Sequence, residues 1–268
     1  MALESKNNPK IKFLDKLKKK SCRERYKTYL IEGHRELMRA FQANLVTEVY
    51  FCQKLFTDNT FHGSLEKLSS ANIPMIEVGE QAYQKISIRE NGDGLIGLGK
   101  PFVKPLDHIR QEEPGNPLII AAESLEKPSN LGAIIRTAES AGATALAVLD
   151  ASTDPYNPNT IRSSQGAIFS IPIIGCSSIA FDEFCHSNGL KIICTTPHGN
   201  RIYWEENLTN SLAIIVGSEA RGLSDFWLRN TNSISVKIPQ LGSSDSLNVS
   251  VATAVVTYEA VRQRNLIL

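Results

Sequence analysis

Three stretches of this 268-residue chain set polar residues directly after short apolar runs, where side chains and main-chain groups can meet a ligand. The first, Glu123-Ser124-Leu125-Glu126-Lys127-Pro128-Ser129-Asn130, leads into a helical pattern that carries Arg136 on its second turn. Ser129 or Asn130 can cap that helix, and a cap followed by a surface arginine accounts for the stretch about as well as chemistry does. The second, Gly217-Ser218-Glu219-Ala220-Arg221-Gly222-Leu223, turns sharply after an apolar run. Its glycines free the backbone to approach a bound molecule, and Glu219 between them is hard to assign to packing. The third, Ile238-Pro239-Gln240-Leu241-Gly242-Ser243-Ser244-Asp245-Ser246-Leu247-Asn248-Val249-Ser250, gathers small and amide side chains into the start of the last helix, where core packing prefers apolar ones. A polar helix start is the plain alternative there.

Other chemistries find no support. Gly92-Asp93-Gly94-Leu95-Ile96-Gly97 fits the dinucleotide fingerprint by spacing, but no helical pattern follows it, so it reads as a turn into a strand. The chain has no phosphate-binding GxxxxGK[ST] loop, no GxSxG elbow and no HExxH pair. Cys22, Cys52, Cys176, Cys185 and Cys194 form no CxxC pair, and the five histidines are scattered, so buried free thiols and no metal site are expected.

The stretches need a frame. Runs at 118–122, 145–149, 167–174, 191–195, 212–216 and 234–238 are apolar through most of their length, as strands buried on both faces must be. Helical patterns at 131–141, 179–188 and 247–264 separate them. That alternation predicts a parallel sheet covered by helices on both sides, with function at the carboxyl ends of its strands. The last helix, with Val249, Val251, Ala252, Val255, Val256, Ala260 and Val261, carries more apolar surface than one sheet-facing stripe requires.

Upstream, Ile11, Leu14 and Leu17 recur at helical spacing. A helix at about 34–43, a strand at 48–51, a helix near 64–71 and strands at 74–78 and 94–98 follow. Four prolines between Lys100 and Pro117 mark a linker, giving domains at 1–100 and 118–268 joined through 101–117. The net charge of +1 excludes a uniformly basic nucleic-acid binder, but residues 1–39 hold 12 Lys/Arg against 5 Asp/Glu. A basic end on a mildly acidic body predicts contact with nucleic acid. No apolar run approaches the roughly 20 residues that cross a bilayer, and the N-terminus lacks the apolar core of a secretory signal, so a cytoplasmic location without membrane contact is expected.

In order and spacing, the three stretches resemble the signature motifs of the SpoU/TrmH group of RNA ribose 2′-O-methyltransferases, within the knotted SPOUT superfamily. Asn130 with Arg136 matches the first motif, Gly217-x-Glu219-x-x-Gly222 the second, and Pro239-x-x-Gly242 followed by Ser246-Leu247-Asn248-Val249-Ser250 the third. Arg162-Ser163-Ser164-Gln165-Gly166-Ala167 is similar to an element that the family places between the first two motifs, near the RNA. The likeness covers residues 116–264 strongly. Residues 10–100 are covered more weakly, through Tyr29-Leu30-Ile31-Glu32-Gly33-His34-Arg35-Glu36-Leu37, which resembles an accessory RNA-recognition domain.

The resemblance implies an α/β fold: a parallel-sheet methyltransferase domain with a C-terminal trefoil knot, preceded by a smaller α/β RNA-recognition domain. It implies S-adenosyl-L-methionine as cofactor, held around Gly217, Leu223, Ile238, Gly242 and Leu247, and no metal. Arg136, Asn130, Ser246, Glu219 and Asn248 form the implied catalytic set. The family pattern has Arg136 accept the 2′-hydroxyl proton, but a charged guanidinium carries no free lone pair, so a positioning or electrostatic role stands beside the literal base. RNA contacts are expected at Lys18, Lys19, Lys20, Arg23, Arg25, Arg35, Arg162 and Ser163, and a homodimer that assembles each site at its interface. The implied substrate is 23S rRNA, with tRNA as the alternative. A non-catalytic RNA-binding ribosome assembly factor on the same fold is the other alternative, and five intact polar motif residues argue against it.

Overall fold

The structure, a computed structural model, describes residues 3–57, 60–109, 116–243 and 245–265. Residues 110–115 of the expected linker and Ser244 of the third stretch lie outside the described residues. The chain divides into two units, Met1–Phe102 with Asp154–Ser170, and Val103–Thr153 with Ile171–Leu268.

In the first unit α1 (Pro9–Lys16) and α2 (Lys20–Tyr26) precede β1 (Tyr29–Glu32), α3 (His34–Gln42), β2 (Val46–Phe51), α4 (Thr60–Ser70), β3 (Met75–Glu77), α5 (Glu80–Ile86) and β4 (Leu95–Gly99). The sheet order is β1-β4-β2-β3, with only the β2–β3 pair parallel. Asn8 caps α1 by accepting the Lys10 amide at 2.8 Å, and Pro9 opens its first turn without wasting a donor. Ile11, Leu14 and Leu17 are fully buried among Leu30, Tyr83 and Ile96, so the lysines interleaved with them take the outer faces. The Gly92–Gly97 run ends in β4 and opens no helix, as its sequence context required.

After β5 (Leu118–Glu123), α6 (Pro128–Ser140) and β6 (Ala145–Leu149), residues Asp154–Ser170 belong to the first unit and contain α7 (Pro158–Ser163). The second unit continues with β7 (Ile173–Cys176), α8 (Ser178–Ser187), β8 (Lys191–Thr195), β9 (Arg201–Ile202), β10 (Leu212–Val216), α9 (Asp225–Leu228), β11 (Ser233–Lys237) and α10 (Val249–Asn265). The strand expected over 167–174 is shorter. Residues Ala167–Phe169 form a 3-10 turn buried in the first unit, and the strand begins only at Ile173, after Pro172. One apolar run thus serves two cores, which local pattern does not separate.

Seven strands in the order β7-β6-β5-β10-β8-β11-β9 pair in parallel. Ile119, Ala121, Ala147, Cys194, Ala213 and Ile215 share one face with Phe181 of α8 and Trp227 of α9. Strand alternation sends their neighbours to the other face, where α6 and α10 pack on the sheet and on each other. Register aligns the strand ends: Val216 of β10 sits opposite both Ala122 of β5 and Thr195 of β8. The loops after β5, β8 and β10 therefore leave the sheet side by side. Arg264 fixes the far end of α10, donating to the carbonyls of Asn116, Asn210 and Leu208 at 2.7, 2.7 and 3.2 Å. Lys104 extends the sheet edge by bridging to Ile174, and Ile109 is buried in the same core.

Candidate active site

The turn after β10 is shaped by its glycines. Ser218 and Gly222 exchange two backbone hydrogen bonds, each 3.0 Å, and Gly222 takes a φ of 69°, which L side chains rarely adopt. A Cβ on Gly217 would overlap the Gly222 carbonyl group and the Leu223 nitrogen, so only glycine lets the turn fold back this tightly.

Beside the turn lies a cavity of about 530 Å³ at the carboxyl ends of β8, β10 and β11. Gly217, Leu223, Ile238 and Leu247, four of the five expected cofactor contacts, line it. Gly242 is not among the lining residues, and a Cβ there would meet no atom within 4 Å. Glu219, Ser246 and Asn248 line the cavity; Asn130 and Arg136 do not.

Asn130 acts one layer behind. Its Nδ2 donates to Glu219 Oε1 at 2.6 Å, and its Oδ1 accepts from Asn248 Nδ2 at a longer 3.4 Å. The reading of Asn130 or Ser129 as a helix cap is corrected: α6 starts at Pro128, its N-cap Lys127 makes no side-chain bond, and Asn130 sits 8% exposed in the first turn. Capping falls instead to Asn248, whose Oδ1 accepts the Ser250 amide at 2.9 Å and its hydroxyl at 2.6 Å at the start of α10. The polar helix start and the polar cavity wall are thus one feature.

Burial disfavours charge on Glu219, but the Asn130 amide and the backbone N–H groups of Glu219, Glu126 and Lys127 outweigh it and hold the carboxyl below the usual range. Glu219 is therefore an ionised acceptor near neutrality. Arg136 lies on the exposed side of α6, and its side chain has no hydrogen bond or ion pair among the described residues. Its fork is open to a ligand.

The cavity also takes in Thr195, Thr196, Pro197 and His198 after β8, which the sequence reading passed over. The strand-end rule that drew attention to Glu123 and Gly217 applied equally to the end of the run 191–195. No group of three or more potential metal ligands exists among the described residues. Burial pushes the Cys185 thiol up to about 12 and those of Cys176 and Cys194 to about 11, so they stay protonated and unreactive.

The expected RNA contacts divide. Lys19, Lys20, Arg25, Arg35 and Arg162 are exposed, and Ser163 is half-buried. Lys18 is tied to Asp15 at 3.1 Å and to the Lys85 carbonyl at 2.8 Å. Arg23 is buried: it pairs with Asp154 at 2.8 Å and donates to the Leu17 and Lys18 carbonyls, both at 2.8 Å, so it joins α2 to the segment 154–170 and offers RNA nothing. No helix among the described residues is long and apolar enough to cross a membrane.

Comparison with known proteins agrees with this geometry. Residues 117–258 match the SpoU rRNA Methylase family, and residues 8–97 match the MRM3-like substrate binding domain. Over 258 residues the chain is 29% identical to the 23S rRNA (guanosine(2553)-2′-O)-methyltransferase RlmP of Bacillus subtilis (strain 168), covering 96% of this chain and 97% of that one. A crystal structure of an RNA 2′-O ribose methyltransferase is 36% identical, with a TM-score of 0.82 across 99% of this chain and 100% of that one. The AdoMet-bound rRNA methyltransferase of Sinorhizobium meliloti is 25% identical, with a TM-score of 0.87 over 98% and 97% of the two chains. With Asn130, Glu219 and Asn248 of the three motifs joined by hydrogen bonds and more than half its length matched, the chain belongs to the SpoU rRNA Methylase family.

Proposed function

We propose that this protein transfers a methyl group from S-adenosyl-L-methionine to a ribose 2′-hydroxyl of 23S rRNA. The observation that carries the reading is the meeting of all three motif stretches, with Asn130, Glu219 and Asn248 hydrogen-bonded in sequence beside the cavity that Gly217, Leu223, Ile238 and Leu247 line. The residues present fit that cofactor. The volume suits a cofactor site, Leu223, Ile238 and Leu247 offer apolar walls for an adenine, and Glu219 and Asp245 supply carboxylates for a cationic ligand. When bound, the cofactor supplies an electrophilic methyl on a sulfonium for in-line displacement by the ribose oxygen.

This chain's own part is orientation and electrostatics. Glu219, held ionised, accepts from Asn130 and from the Glu126 amide, and so locks the first stretch to the second. Asn130 passes that constraint to Asn248, which fixes the start of α10 and the cavity wall that holds Ser246. The open guanidinium of Arg136 suits a bidentate phosphate contact and stabilises charge developing on the 2′-oxygen. The reading includes the family's C-terminal knot, supported by β10 lying between β5 and β8 and by α10 packing on α6.

Labelled methyl transfer from S-adenosylmethionine to purified 23S rRNA and to tRNA, with mapping of the alkali-resistant position, tests the assignment. Label in 23S rRNA is expected; label in tRNA alone moves the substrate, and label in neither sinks the enzyme reading.

RNA binding is assigned to the exposed cations. Changing Lys19, Lys20 and Arg25 together to alanine should flatten the dependence of log affinity on log salt by about 0.7 to 0.9 for each phosphate no longer neutralised, while leaving cofactor affinity unchanged. An unaltered slope would return these residues to ordinary solvated surface.

A homodimer through the outer side of α10 is part of the same proposal. Val251 and Tyr258, 48% and 47% exposed, lie on one side of the helix with half-buried Val255 between them. A closed two-fold pairing is the common way to cover such a stripe. If each site is shared between subunits, mixing an Arg136→Ala chain with an Asn248→Ala chain should restore roughly half of wild-type activity per heterodimer, since one site then carries both defects and the other neither. Variants that exchange subunits yet stay inactive would rule out the shared site.

A further inference from the structure

We infer that Glu123 is a positioning residue for the cofactor cavity, acting through Ser224 on the Leu223 wall. The inference rests on the S-adenosylmethionine reading above. Glu123 ends β5, is 4% exposed and does not line the cavity. Its Oε2 accepts the Ser224 amide at 2.8 Å, and its Oε1 accepts the Ser224 hydroxyl at 2.6 Å and the Ser178 hydroxyl at 3.3 Å. No cation pairs with it among the described residues. A buried carboxylate is tolerated only when its lone pairs are satisfied, and here three neutral donors do so, two of them from one residue.

That residue directly follows Leu223, which walls the cavity, and it precedes α9, whose Trp227 is fully buried and donates to Ser178 at 3.2 Å. The bidentate grip on Ser224 therefore fixes where the strand-end turn delivers Leu223. A second carboxylate crosses in the opposite direction: Glu219 of the turn accepts from the Glu126 amide at 3.2 Å and from Asn130 at 2.6 Å. The first and second stretches are thus held by two reciprocal clamps, one at each end. Glu219 faces the cavity, whereas Glu123 lies behind the wall and has no route to the reacting atoms.

Calorimetry and steady-state kinetics on the full-length chain test this. Glu123→Gln, which keeps one carbonyl acceptor and puts an NH2 donor in place of the other oxygen, leaves three donors to share a single neutral acceptor. It should raise Kd and KM for S-adenosylmethionine about tenfold, with kcat at saturating cofactor and KM for RNA within about twofold, the scale of one charge-assisted hydrogen bond. Ser224→Ala removes one donor and keeps the amide, so it should shift the same constants in the same direction by less. Ser178→Ala, which removes a donor to Glu123 but leaves both Ser224 bonds in place, should lower thermal stability and leave Kd unchanged. Should Glu123→Gln not fold, the contrast between Ser224→Ala and Ser178→Ala decides. Cofactor affinity unchanged in Ser224→Ala, or weakened equally in Ser178→Ala, overturns the proposal while wild-type binding upholds the reading it rests on. A wild-type chain that binds no S-adenosylmethionine overturns both.

Discussion

Arg136→Ala should lower turnover at least about a hundredfold and leave affinity for S-adenosylmethionine within about twofold of wild type, as expected on removing a positioned electrostatic group. The split follows from where the residue sits. Arg136 is exposed on α6, outside the cavity lining, with no partner among the described residues to be orphaned by its loss. It stands six residues beyond Asn130, a rise of about 9 Å along the helix, so the network that shapes the cavity does not pass through it. Arg136→Lys should fare little better, because an ammonium is a point charge without the planar fork that grips two phosphate oxygens. Single-turnover methyl transfer and calorimetry read the two effects separately. Near-normal turnover in the lysine variant would remove the forked-phosphate role, and an equal loss of cofactor affinity in the alanine variant would make the residue structural.

How far the chain could be read without coordinates depended on how local each signal was. Continuous apolar runs identified the parallel strands because burial on both faces leaves no polar positions to confuse the period. The Gly217–Gly222 turn was legible because its chemistry lies within six residues. Local context left Asn130 open between a cap and chemistry for the opposite reason: its partners Glu219 and Asn248 lie 89 and 118 residues away, and nothing near Asn130 in sequence reveals them. Arg23 shows the same limit. Set among lysines, it reads as one more phosphate contact, but Asp154, 131 residues on, takes it into a buried pair. The run 167–174 failed because hydrophobicity reports burial without saying in which core, and here the two ends belong to different units. Thr195 to His198 were legible and missed, since the rule applied to other strand ends was not applied to that one.

The largest loss of cofactor binding is expected from the smallest change, Gly217→Ala. The added methyl would overlap the carbonyl group of Gly222 and the nitrogen of Leu223, main-chain atoms that no rotamer change can move aside. The turn must open, which breaks the paired hydrogen bonds between Ser218 and Gly222 and carries Leu223 off the cavity wall. Overpacking of this kind costs about 1 to 3 kcal/mol of stability, which a domain with this much buried apolar core survives. A displacement near 1 Å at a binding wall is enough for about a hundredfold loss in kcat/KM for the cofactor. The neighbouring glycines provide the scale. Gly222→Ala meets no atom within 4 Å, so it bears only the left-handed backbone cost of about 1 to 2 kcal/mol and should weaken binding less. Gly242→Ala meets neither obstacle and lies off the cavity lining, so it should behave as wild type. Thermal unfolding confirms that each variant is folded, and calorimetry with S-adenosylmethionine ranks them. If Gly217→Ala is folded and binds as tightly as Gly242→Ala, the turn after β10 does not shape the cofactor site, and the cavity beside it loses its claim to be one.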